Sequence, residues 1–99
     1  MKFIKDEIDV LKDEMEGAER YAEKSVQCKI NGKTDRSDTY KRMAEDEIQH
    51  MKAMHDIVKE DIEAVKKYVD PPEYMLKSWM EVHEQFVDKY DKLMKILSN

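Results

Sequence analysis

The residues that could do chemistry are Glu47 and His50. Glu and His at i and i+3 on a helix project side by side, so both can reach one cation. The Glu47-x-x-His50 segment lies in a stretch whose apolar residues recur at helical spacing. Stepping about 100° per residue puts Glu47 inside that apolar stripe, among Ala44, Ile48 and Met51, with His50 at its edge. A carboxylate there needs a partner, a proton or a metal, because burying a bare charge is costly. On the preceding helical stretch, Glu14 and Tyr21 share a line bordering the apolar stripe, Glu19 borders its other side and Glu16 points away.

Three helices position these residues. Asn31-Gly32 supplies residues that tolerate a left-handed backbone at a helix end, and Thr34, Asp35 or Ser37 can cap the next helix. A second break falls at Asp70-Pro71-Pro72-Glu73, where Asp70 reads as an N-cap, Pro71 as the first turn and Glu73 as the capping-box partner. The residue before a proline disfavours helix, so the preceding helix is expected to stop near Val69. The helices are therefore predicted at about 3–30, 36–69 and 72–97. At about 1.5 Å per residue the middle one spans on the order of 50 Å, which suits an elongated bundle.

Each helix carries an apolar stripe at 3–4 spacing. The first runs from Ile4, Ile8, Leu11 and Met15 through Ala18, Ala22 and Val26. The second runs from Ala44 through Ile48, Met51, His55, Val58, Ile62 and Val65 to Val69. The third comprises Met75, Trp79, Val82, Phe86, Leu93 and Leu97. His55 and His83 read as core histidines satisfied by partners, and the eight methionines mostly as gap-fillers.

Composition bounds the remaining classes. Ninety-nine residues make one domain, 1–99, small enough that an oligomer is reasonable on size alone. Charged residues are 41% of the chain, with 2 Gly and 2 Pro, which suits long solvated helices. A net charge of -5, with basic residues scattered among acidic ones, argues against a nucleic-acid partner. The single cysteine, Cys28, forms no intramolecular disulfide and fits a reducing, cytoplasmic setting, and no apolar run approaches a membrane span. No Ser-His-Asp set, phosphate loop or Cys-rich metal motif points to another enzyme class.

Glu14 with Tyr21, then Glu47-x-x-His50 on the next helix within Ala44-Glu45-Asp46-Glu47-Ile48-Gln49-His50-Met51, resembles the first half of a ferritin-like di-iron protein. The likeness is to the rubrerythrin-like and encapsulated-ferritin-like members. It covers the first two helices, about two-thirds of the chain. In that superfamily a four-helix bundle contributes one Glu from each of two helices and a Glu-x-x-His from each of the other two.

The resemblance implies an all-α, ferritin-like antiparallel helical hairpin plus a third helix, with the four-helix bundle completed by dimerisation. It implies Glu14 and His50 as terminal ligands, Glu47 as the bridging ligand and Tyr21 as a hydrogen-bonding residue beside them. It further implies a di-iron centre that oxidises Fe(II) to Fe(III) with oxygen or peroxide, and the same donors would also suit Mn or Zn. The chain departs from the pattern by carrying it once, since Glu81, His83 and Glu84 on the third helix make no Glu-x-x-His. A homodimer or higher even-numbered oligomer would restore the second copy. Nothing in Leu97-Ser98-Asn99 resembles a tail that addresses an enclosing shell. The contrasting reading is a non-enzymatic acidic helical interaction module in which Glu47 and His50 only hold a salt bridge.

Overall fold

The computed structural model describes residues 2–98; Met1 and Asn99 lie outside the described residues. Three helices, α1 (Lys2–Ile30), α2 (Thr34–Lys66) and α3 (Glu73–Leu97), form a rod of 55 × 18 × 16 Å. Among the described residues there is no strand, and no helix is long and apolar enough to cross a membrane.

The turn between α1 and α2 follows the expected chemistry. Gly32 adopts φ 74°, a left-handed conformation that a Cβ would disfavour. Lys33 N–H donates to the Cys28 carbonyl at 2.8 Å and Gly32 N–H to the Lys29 carbonyl at 3.1 Å. This pair of bonds is a Schellman closure, which satisfies carbonyls that the helix end would leave open. The start of α2 differs from expectation. Lys33 occupies the N-cap without a side-chain cap, and Ser37 is drawn into the hairpin interior.

The second break also differs in detail. Helix α2 stops at Lys66, three residues before the expected end, and its last turn tightens through a Tyr68 N–H bond to the Val65 carbonyl. Pro72 takes the N-cap position with φ -55° and ψ 143°, where Asp70 was expected. The reason is the double proline: Pro71 precedes a proline and is pushed to extended backbone, so the helix begins after Pro72. Met75 and Leu76 N–H groups then donate to the Pro72 carbonyl.

The core is the three predicted stripes facing one another. Ile4, Leu11 and Met15 of α1, Ile48, Met51 and Val58 of α2, and Val82 of α3 are fully or almost fully buried. Val26 and Val69, expected in the stripes, are exposed. Ser25 takes the inward place beside Val26, and Val69 lies beyond the end of α2.

Ser25 and Ser37 fix the axial register of the hairpin. Ser25 Oγ donates to the Ser37 carbonyl at 3.0 Å, and Ser37 Oγ donates back to the Ser25 carbonyl at 2.8 Å. Both serines are buried, so these bonds form away from competing water. Helix α3 is tied on the far side of α1 by Lys89 Nζ, 2.6 Å from Glu19 Oε1.

Candidate metal centre

The serine clamp determines what meets below it. Glu14 lies eleven residues before Ser25 and Glu47 ten residues after Ser37, so in an antiparallel pair the two stand within about 1.5 Å of the same height. His50 follows Glu47 by three residues on the same side of α2. One donor atom from each of Glu14, Glu47 and His50 comes together, all within 4.8 Å of one another. His50 Nδ1 is 3.5 Å from Glu14 Oε2 and 3.6 Å from Glu47 Oε1.

The two carboxylates are partly buried, at 25% and 24% side-chain exposure, whereas His50 is 59% exposed. The cluster therefore sits at the rim of the hairpin rather than deep in its core. Glu14 and Glu19 flank opposite borders of the α1 stripe, and Glu19 is the one that reaches α3. The cluster consequently opens on the face that α3 does not cover.

The site is electrostatically short of positive charge. The hydrogen bond to Glu14 pushes the Glu47 carboxyl above its ordinary value, and burial and the Glu14 charge push the same way; only His50 acts in the opposite direction. Two close carboxylates resist full ionisation together, and a cation between them removes that resistance. Two carboxylates and an imidazole form a donor set suited to iron, manganese or zinc.

Gly17 belongs to the site although it carries no donor. It is buried on α1, one turn beyond Glu14, and a Cβ there would stand 3.0 Å from Glu47 Oε2. Glycine in a helix interior costs about 1 kcal/mol relative to alanine. Here the missing side chain leaves the room that the Glu47 carboxylate occupies. A glycine in mid-helix, one turn from a candidate ligand, is the signal in the sequence that would have found it.

Tyr21 is partly buried and stacks on Tyr40 of α2, ring centroids 6.3 Å apart, between the clamp and the carboxylates. It lies on the same side of α1 as Glu14, one heptad along. Glu81 and Glu84 are exposed, as their place outside the α3 stripe predicts. His55 and His83 are away from the cluster and hydrogen-bond each other, His55 Nε2 to His83 Nδ1 at 2.8 Å.

A second carboxyl pair also escaped sequence reasoning. Glu7 and Asp61 meet across the hairpin, and burial, followed by the Asp61 hydrogen bond and charge, raises the Glu7 carboxyl to about 7. Glu7 Oε2 is sealed from solvent with no hydrogen-bond partner among the described residues. No sequence signal marks this pair, because its members lie 54 positions apart and each borders its stripe as charged residues commonly do.

Comparison of the chain with protein-family models, with curated proteins and with solved structures returns no match.

Proposed function

We propose that this is an iron-binding, ferritin-like protein in which Glu14, Glu47 and His50 form one half of a ferroxidase-type di-iron site. The observation that carries the reading is the convergence of those three donors from two helices. Glu14, Glu47 and His50 would hold the metal, with the Glu47 carboxylate given room by Gly17. Iron supplies the redox chemistry: two Fe(II) ions, as substrate, give two electrons to oxygen or peroxide. The protein contributes a preset donor geometry with coordination positions left open.

A second copy of the chain completes the donor set, about a two-fold axis through the open face. That face supports the reading. Phe3 and Val10 of α1 and Met43 and Ile57 of α2 are exposed there, in the same helical rows as Glu14, Glu47 and His50. Apolar side chains flanking a polar site are what a second hairpin would cover.

Anaerobic Fe(II) titration followed by air, read by near-ultraviolet absorbance, tests the proposal. The expected result is a break near one iron per chain and an absorbance rise on oxidation. Parallel titrations with Mn and Zn decide the preferred metal. Absence of saturable binding would leave the carboxylate–imidazole cluster as a structural ion pair in an interaction module.

A further inference from the structure

The His55–His83 pair joins α2 to α3 on the side of the molecule away from the carboxylate cluster. Its geometry is specific. The two nitrogens are 2.8 Å apart and the ring centroids 5.0 Å apart, with the ring planes inclined by 28°. That centroid separation is what two imidazoles have when their nitrogens point straight at each other. The contact is an end-on hydrogen bond between nearly coplanar rings, with room for one proton and no more. His55 is 8% exposed and lies flat on Phe86, centroids 4.1 Å apart and planes inclined by 15°, with Trp79 5.1 Å away.

A metal does not fit this spacing. Two zinc–nitrogen bonds of about 2.0 Å each would need collinear donors about 4 Å apart, or lone pairs that converge at an angle. The nitrogens here are closer than the first and aligned against the second.

We propose that His55 and His83 form a proton-operated latch that holds α3 against the hairpin at neutral pH and releases it on acidification. Asp56 Oδ1, 3.3 Å from His55 Nδ1, accepts that N–H and leaves Nε2 as the acceptor facing His83. His83 Nδ1–H then donates. A proton added to His55 can go only to Nε2, which sets N–H against N–H inside an aromatic wall.

Burial is the main influence lowering the His55 pKa from 6.5, and His83 and Lys59 add to it, while Asp56 opposes it. The charged groups acting on His55 are thus Asp56 and Lys59 on α2 and His83 on α3; none comes from α1. The sign follows. A histidine held below its unfolded value contributes stability that is present above that value and is lost as pH falls through the folded value. The latch therefore opens below pH 6.5.

Hydrogen exchange of the α3 amides between about pH 8 and pH 5, corrected for intrinsic rates, tests the latch in the full chain. Wild type is expected to lose about tenfold in α3 protection on acidification. His83→Gln keeps a side chain that can accept from a protonated His55, so its α3 protection is expected to hold over the same range. Trp79, the single tryptophan, gives a parallel fluorescence readout from 5.4 Å beside His83. Should His83→Gln fold poorly, His55→Gln serves in its place, with the same expectation. Equal α3 protection at both pH values in wild type would overturn the proposal, and so would an equal acid loss in wild type and variant.

Discussion

At the scale of single residues, Glu47 is the position on which the metal reading turns. It shares the cluster with Glu14 and His50 and is the carboxylate for which Gly17 makes room. Glu47→Ala is expected to abolish saturable Fe(II) binding while far-ultraviolet circular dichroism stays helical. Full retention of binding by that variant would remove the site. Gly17→Ala separates stability from function. Alanine is favoured over glycine in a helix by about 1 kcal/mol, and the nearest obstacle is the far end of the flexible Glu47 side chain. The variant should unfold at a higher temperature yet bind iron more weakly at the proposed site, because the carboxylate is displaced from the space that Gly17 leaves open. Binding unchanged from wild type would show that Glu47 does not need that space.

Among the elements, the hairpin matters more than any one helix. The Ser25–Ser37 clamp sets the heights of α1 and α2, and the clamp stands ten or eleven residues above the carboxylates. Ser37→Ala removes a buried donor to the Ser25 carbonyl and is expected to cost about 1 kcal/mol by chemical denaturation. Helical periodicity marks the borders of each core stripe, so Glu14, Glu47 and His50 were legible one helix at a time. Their meeting was implied only by the family resemblance, because a one-turn slip between helices leaves each helix's pattern intact while moving the donors about 5.4 Å apart. The end of α2 and the start of α3 were legible only to within a few residues, since Asp70, Pro71 and Pro72 each offer a stop or a start and neighbouring backbone bonds choose among them.

For the whole molecule, the two ends of the pH range act on different groups. The Glu7 carboxyl, raised from 4.5 to about 7 by burial and by Asp61, contributes stability that is fully present below 4.5 and lost as pH rises through about 7. His55 works in the opposite sense, contributing above 6.5 and losing its contribution as pH falls. Glu7→Gln keeps the size of the side chain and offers Asp61 a donor that does not ionise. It should raise stability by at least about 1 kcal/mol near pH 8 and leave it little changed near pH 4.5, as measured by denaturant midpoints at each pH. Assembly belongs to this scale too. Mass analysis in solution with iron present is expected to give an even number of chains, and a strict monomer holding iron would contradict a shared site.

What the sequence by itself determined is local. Apolar residues at 3–4 spacing make three amphipathic helices, Asn31-Gly32 and the double proline divide them, and Glu47-x-x-His50 places two donors on one face. Each of these depends on residues within a turn or two of one another. What only the tertiary structure decided is how separate helices meet: the serine clamp, the space at Gly17, the Glu7–Asp61 pair and the end-on contact of His55 with His83. These rest on axial register and on close approach between helices, set by packing and cross-helix hydrogen bonds that leave no periodic trace in either segment.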